Sequence, residues 1–435
     1  LSALGVRQPQ VHAIIDAVER WTKRSGQEWT VSRLKTLKTH FLHRLADDGI
    51  STLDWVASRG GVPKGPFRRL FLDIDTPRKR VRALNALMVY TSYVATEVTP
   101  KQWEKFSGSV EQKLTISESQ LREESGFRAW LDKPENRKAL GLKVISVDPQ
   151  RWTRWPDVPW ESRGTRVPLF GKDKVRSVAI AEIDRWYAAS ESNPWVRWFF
   201  GSFPRLALNI ELDRKPVLSD WVNGEPPVGG VGQVSFIQEA GFKLRAVANP
   251  DPLVQLALEP LKTGLLGLLK GNARDCTHDQ ESGVVAVQSW LAEGLVVHSI
   301  DLSDATNNFP MTLQQRVLDV VCPVGPGGDP QAYGLNRGFA AAAKGPWLVH
   351  DPVAKTQRVM RWSKGQPLGL GPSFPLFAIT HHALVQYALD GLPHGDRVRS
   401  DYRILGDDVV ITGDMLASRY RELLDIFGCP VIEAK

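Results

Sequence analysis

Cysteine is scarce in this 435-residue chain: Cys276, Cys322 and Cys429 are far apart and odd in number. They build neither a disulfide framework nor a zinc knuckle, and a reducing compartment fits them best. Long apolar runs are missing too. The nearest, LVQLALEPLKTGLLGLLKG, is interrupted by Glu259, Pro260 and Lys262, short of the roughly 18 to 20 uninterrupted residues that span a bilayer. No internal repeat, low-complexity tract or cleavable signal is recognisable. Neither sign of charge dominates: Lys plus Arg number 55 against 48 Asp plus Glu, a net charge of +7 that favours a polyanionic partner only mildly. A hydrophobic fraction of 42% and a charged fraction of 24% exclude a wholly disordered or fibrous chain. We expect a soluble, non-secreted protein without a membrane segment. The chain starts LSALGVRQPQ with no initiator Met and stops at CPVIEAK after a strand-like run, so we also expect a segment of a longer reading frame.

What is present falls into two parts. Residues 9 to 140 place apolar side chains at three- and four-residue intervals, in PQVHAIIDAVERWTKRS, VSRLKTLKTHFLHRLADDG and RVRALNALMVYTSYVATEV, which predicts a helical N-terminal region. Between about 146 and 172 the periodicity gives way to Pro, Trp and Arg, which predicts a linker or irregular loop and a boundary. Helices and short strands then alternate: a strand LVVHSID, helices MTLQQRVLDVV and SFPLFAITHHALVQYAL, and a last helix MLASRYRELLDIFG stopped by Gly428 and a Cys-Pro step.

The chemistry concentrates in ILGDDVVIT. Aliphatic runs on both sides of Gly406, Asp407 and Asp408 predict a β-hairpin with the two acids exposed at its turn. Taken alone, the triplet is equally compatible with a plain polar turn. Upstream, Asp301 ends an apolar strand, so a third carboxylate joins the others if the strands pair, with Asp301 meeting Asp407 across neighbouring strands. Three convergent carboxylates repel one another. Two divalent cations about 3.5 to 4 Å apart remove that penalty, activate an attacking hydroxyl and neutralise a leaving phosphate. Mg²⁺ suits an all-oxygen site completed by phosphate and water, so the expected chemistry is phosphoryl transfer.

Two further segments bear on it. WSKGQPLGLGPSFPLFAITHHALV is a glycine- and proline-rich loop entering a helix, with Ser373 as a candidate cap. It is either a close approach to a sugar or phosphate, or a plain connection. In EAGFKLRAV, Lys243 and Arg245 alternate with apolar residues, giving a strand whose basic face is either solvated or turned toward a triphosphate.

These segments, in this order, resemble those of RNA-directed RNA polymerases, most closely the mitovirus and narnavirus-like group of capsidless RNA viruses. DLSDATNNFPMTLQ is similar to motif A, GQPLGLGPSFPLFAITHH to motif B, ILGDDVVI to motif C, FGCPVIEAK to motif D, and EAGFKLRAV to the fingers motif that contacts triphosphate. GNARDCTHDQ resembles a further family stretch. The match covers roughly residues 235 to 435. It implies an α+β right-hand polymerase with fingers, an antiparallel palm sheet and a truncated thumb. The helical N-terminal region would be 1–150, the fingers 151–294, and the palm 295–435 with a fingers insertion at about 322–362. It implies RNA synthesis from nucleoside triphosphates, RNA template and product as partners, two Mg²⁺ ions with Mn²⁺ as substitute, and a place in the host cytoplasm or mitochondrion. No protein partner is deducible.

Carried over by position, Asp301 and Asp407 hold the metals and Asp408 is an auxiliary acid. Lys243 and Arg245 neutralise the triphosphate, Ser373 faces the ribose, and Gly365 and Gln366 belong to the loop that lets template and nucleotide move. Lys435 matches the motif D lysine that protonates pyrophosphate, or is a frayed terminus without that role. Where the family has an aspartate six positions after Asp301, this chain has Asn307, which still hydrogen-bonds a 2′-hydroxyl. Asp304 is an extra acid nearby. His381 and His382 read as satisfied core residues on an apolar helix. A reverse transcriptase shares the two-metal palm, but it normally carries an aromatic and a small residue where this chain has Leu405 and Gly406. A non-catalytic RNA-binding protein from a decayed viral gene is the alternative of another class. All three acids remain and the motifs are unbroken, which argues against it.

Overall fold

The computed structural model describes residues 6–46, 62–145, 166–168, 177–179, 193–202, 229–324 and 330–432. They fall into two compact units: one gathers the chain up to Thr99 with Phe236–Arg245, the other holds Pro100–Ser235 and Ala246–Glu433.

The first unit is built on α1 (Gln8–Ala46) and α2 (Pro77–Leu87). The two N-terminal periodic segments form one helical run, kinked at Gly26, whose φ of 82° leaves the helical path. Leu34, Leu37 and Phe41 of α1 pack with Phe67, Phe71 and Leu87 in one core. Phe41 and Phe71 meet edge to face at 5.2 Å. Thr76 caps α2 by accepting from the Lys79 N–H, and Pro77 opens its first turn. The helix expected over RVRALNALMVYTSYVATEV ends at Leu87 and tightens into a 3₁₀ turn at Met88–Ser92. Val89, Tyr90 and Thr91 lose rotamer freedom in an α-helix, which accounts for the early end.

The second unit mixes helix and sheet. Its helices include α3 (Pro100–Val110), α4 (Glu118–Leu131), α5 (Glu259–Lys270), α6 (Met311–Val321), α7 (Ser373–Asp390) and α8 (Asp414–Ile426). Strands β1 (Gly232–Glu239) and β2 (Lys243–Pro250) run through both units. They are followed by β3 (Val297–Leu302), β4 (Trp347–His350), β5 (Gln357–Met360), β6 (Asp401–Leu405), β7 (Asp408–Thr412) and β8 (Val431–Ile432). One four-stranded sheet has the order β8-β3-β7-β6 with every pair antiparallel. The other has the order β2-β1-β4-β5, with β1 parallel to β4 and β4 antiparallel to β5. The α+β expectation holds. Most of the 146–172 segment lies outside the described residues, but Arg166–Pro168 pairs antiparallel with Ser177–Ala179.

The core of this unit sits behind the antiparallel sheet. Ile300, Tyr402, Ile404, Val409 and Ile411 are each at most 1% exposed, and each such burial contributes roughly 1.5 to 3 kcal/mol. α7 carries no acidic or basic side chain before Asp390 other than its two buried histidines and is buried along nearly its whole length, packed by α4, α5, α6 and α8. This burial fixes the register. A slip of one residue would turn the aliphatic set outward and the acids inward.

Candidate active site

The register brings Asp301 directly opposite Asp408, with Ile432 of β8 beside Asp301 on its other flank. Directly opposed residues share a face, so Asp301, Asp408 and Arg403 stand on the side of the sheet away from Ile300, Val409 and Ile404. Asp301 is 6% exposed, while Asp407 and Asp408 are open to solvent. Gly406 and Asp407 alone join β6 to β7. Gly406 has φ +63° and Asp407 does not share the positive sign, the type II′ pattern that follows the strand twist. A Cβ at 406 would also lie 2.9 Å from the Phe374 ring. The two-residue loop lifts Asp407 out of the ladder, so Asp408 is the direct partner of Asp301 and Asp407 stands one residue further, at the turn.

Asp301, Asp407 and Asp408 offer carboxylate oxygens only, without imidazole or thiol. Among the described residues no cluster of three or more carboxylate, imidazole or thiol groups is positioned to hold a metal ion. The donor chemistry fits Mg²⁺, which takes one or two carboxylates and fills its other positions with water and phosphate.

The glycine-rich loop is locked against the segment after Asp301. The Gln366 N–H donates to the Thr306 carbonyl and the Met311 N–H to the Lys364 carbonyl, both at 2.8 Å. A Cβ at Gly365 would overlap the Thr306 carbonyl oxygen and lie 2.6 Å from that of Asn307. Buried Gln366 closes the loop, its Nε2 donating to Gln314 Oε1 and, at 2.9 Å, to the Ser373 carbonyl. Ser373 is not a cap: Pro372 takes that position without a side-chain acceptor, and Ser373 is the first helical residue, 1% exposed. Its hydroxyl and Gln366 Oε1 have no hydrogen-bond partner among the described residues.

Asn307 is held at both ends of its amide. Trp362 Nε1 donates to Oδ1 at 2.8 Å, and Nδ2 donates to Ser109 Oγ of α3 at 3.0 Å. One N–H and one lone pair remain. Asp304 adopts a left-handed φ of 46° and pairs with Lys105 at 2.9 Å, an exposed contact worth at most about 1 kcal/mol.

Both histidines are buried and bonded. His381 Nδ1 lies 2.9 Å from the Gly406 carbonyl, and its Nε2 meets the Tyr420 hydroxyl. His382 Nε2 pairs with Asp275 at 3.0 Å. Burial pushes His381 down to about 4, and lowers His382 against the opposing pull of Asp275. Asp275 belongs to a segment bridged in parallel to Ile404 of β6. Its neighbour Arg274 holds Asp401 and Gln386, both at 2.8 Å, and lies over the Tyr402 ring.

Lys243 and Arg245 belong to the first unit. Lys243 is exposed at the start of β2, and Lys35 nearby is lowered by burial and by the charges of Lys243 and Lys38, so three ammonium groups gather there. Arg245 donates to both carboxylate oxygens of Glu239, at 2.6 and 3.2 Å, and draws that carboxyl below the usual range. Lys435 lies outside the described residues. Ser109, Trp362, Lys105 and Tyr420 were not legible as parts of the site. Their contacts join residues from 39 to 199 positions apart, and no local spacing marks such pairs.

The family model of mitovirus RNA-dependent RNA polymerases matches residues 204–435. The chain belongs to that family, which bears out the resemblance drawn from its motifs. It is similar to the RNA-directed RNA polymerase of Cryphonectria parasitica mitovirus 1, 31% identical over 207 residues that make up 47% of this chain and 24% of that protein. An uncharacterized mitochondrial protein of Arabidopsis thaliana is 34% identical over 144 residues, 32% of this chain and 53% of that protein. A second one is 31% identical over 142 residues, 31% of this chain and 62% of that protein. The chain thus spans less than two thirds of the length of each. A solved structure described as an RNA-dependent RNA polymerase with VP4 and dsRNA aligns over 46% of this chain and 20% of its own, at a TM-score of 0.38 and 14% identity. A likeness of that size carries no argument about the fold. Among the described residues no helix is long and apolar enough to cross a membrane.

Proposed function

We propose that this chain carries the catalytic centre of a viral RNA-directed RNA polymerase, which builds RNA from nucleoside triphosphates on an RNA template. The observation that carries the reading is the register of the antiparallel sheet, with Asp301 opposite Asp408 and Asp407 at the adjoining turn, in a chain of this family. In right-hand terms, residues 151–294 form fingers and 295–435 the palm, with a fingers insertion at about 322–362 and a helical region at 1–150. Asp301, Asp407 and Asp408 hold the divalent ions, Mg²⁺ or Mn²⁺. When bound, the pair supplies the positive charge on which nucleotidyl transfer to a 3′-hydroxyl, with pyrophosphate leaving, depends.

The chain's own residues do the rest. Lys243 and Arg245 face the incoming triphosphate. Asn307, its amide plane set by Trp362 and Ser109, offers its remaining N–H and lone pair to the 2′-hydroxyl. Ser373 adds a hydroxyl near the sugar, Gly365 and Gln366 hold the loop over which template and nucleotide move, and Lys435 protonates the leaving pyrophosphate. The mitochondrial description of the two plant relatives agrees with replication in the host mitochondrion, the cytoplasm being the other compartment open to it.

Primer extension on an RNA template, with ribo- and deoxyribonucleotides offered side by side to the full-length protein, tests the reading. Ribonucleotides are expected to be preferred, and Asn307→Leu is expected to erode that preference by about tenfold or more, because its pocket loses the hydrogen bonds that register the hydroxyl. Preference for deoxyribonucleotides by the unaltered protein would point to reverse transcription instead.

A further inference from the structure

The Gly406 carbonyl lies in the turn that presents Asp407, and Gly406 is buried. Its partner comes from behind the sheet: His381, in the middle of α7, at 2.9 Å through Nδ1. A carbonyl oxygen only accepts, so Nδ1 carries a proton. His381 is 0% exposed and its pKa is pushed down to about 4 by burial; at neutral pH the ring therefore has a single N–H. Nε2 is then a bare acceptor. It accepts a hydrogen bond from the hydroxyl of Tyr420 on α8, a fully buried phenol whose pKa burial raises well above the ordinary value. The two rings stack at 5.7 Å. Every proton is assigned: Tyr420 donates to His381, and His381 donates to Gly406.

We infer that His381 and Tyr420 are positioning residues that fix the peptide between Gly406 and Asp407 and so aim the Asp407 carboxylate. Glycine in a two-residue hairpin tolerates more than one turn geometry, and rotation of that peptide would redirect the Asp407 N–H and its Cα–Cβ bond together. The His381 donor opposes the rotation, because a turned carbonyl would leave the buried donor and itself without a partner. The ring is in turn held by Tyr420, so the turn is referenced to two helices of the core as well as to its strands. A leucine or phenylalanine at 381 would fill the space, but neither would supply the donor.

The inference rests on the polymerase reading for what Asp407 does, but the state of the turn is measured without turnover. In full-length protein labelled with ¹⁵N-histidine, His381 is expected as the Nδ1–H tautomer with an unprotonated Nε2. His381→Asn places an amide nitrogen near the position of Nδ1 and keeps the donor; His381→Gln reaches toward Nε2 and loses it. In protein carrying ¹³C-labelled glycine carbonyls, the Gly406 carbonyl resonance is expected to move upfield in His381→Gln and His381→Leu, as its hydrogen bond is lost, and to stay near the parent position in His381→Asn. Turnover should follow the same order, with kcat reduced about tenfold in the first two and KM for nucleotide within about twofold. Tyr420→Phe is expected to fall between.

An Nε2–H tautomer, or a Gly406 carbonyl resonance and kcat unchanged in a folded His381→Gln protein, would overturn the inference. Equal loss in His381→Asn and His381→Gln would also overturn it, since it would mark a packing role. A parent protein without polymerase activity, but with the Nδ1–H tautomer and a Gly406 carbonyl resonance that moves upfield in His381→Gln, would overturn the polymerase reading while supporting this one.

Discussion

Replacing Asp301 or Asp407 by asparagine is expected to lower nucleotide incorporation by at least about a thousandfold while changing RNA affinity less than about twofold. Asparagine keeps the shape and removes the charge. If the carboxylates serve to hold divalent ions against a phosphoryl group, nothing else on this face of the sheet replaces them. RNA affinity depends chiefly on cations facing backbone phosphates, and removing one acid leaves those in place. A general loss of fold would instead lower activity and RNA affinity together. Asp408→Asn is expected to cost less activity than Asp407→Asn, in keeping with its auxiliary place. Single-turnover incorporation, filter binding of RNA and thermal melting of the same variants separate these outcomes.

The second large effect concerns space. Gly365→Ala is expected to destabilise the protein by about 3 kcal/mol, the upper part of the range for overpacking. Its Cβ would run into the carbonyls of Thr306 and Asn307, which are backbone atoms and cannot rotate aside. Gly365 does not have the positive φ that would make the change a matter of backbone strain. The cost is pure overlap, and relieving it must push the loop off the segment that follows Asp301. Activity is therefore expected to fall even in molecules that remain folded. Gly267→Ala, in the interior of α5, makes the control: a Cβ there meets nothing within 4 Å, and the helix gains up to about 1 kcal/mol. Thermal melts should move in opposite directions for the two variants.

How far the sequence carried the structure differs from element to element. The boundaries of α6, α7 and the β6–β7 hairpin were readable because apolar periodicity there is interrupted by Gly and Pro at the places where the chain turns. α7 offered no charged face, and it is the helix the core surrounds. The third carboxylate was readable as well, since an apolar strand ending in an acid has few ways to pair. Its direct partner was not, because Gly406 and Asp407 form the whole loop and register depends on turn geometry. A serine at a helix start is favoured as a cap, but the residue that falls at the cap is Pro372 and Ser373 lies one position inside the helix. The holders of Asn307 and the His382–Asp275 pair join distant segments. Burial alone selects such partners, and burial is a property of the folded chain.

The account stands on Asp301 and the Gly-Asp-Asp turn acting together on divalent ions. The direct measurement is anomalous diffraction from crystals of the full-length protein soaked in Mn²⁺ with a non-hydrolysable nucleoside triphosphate. Two peaks about 3.5 to 4 Å apart are predicted, touching the carboxylate oxygens of Asp301 and of Asp407 or Asp408. Manganese bound elsewhere on the protein, with Asp301 making no contact to it, would contradict the account.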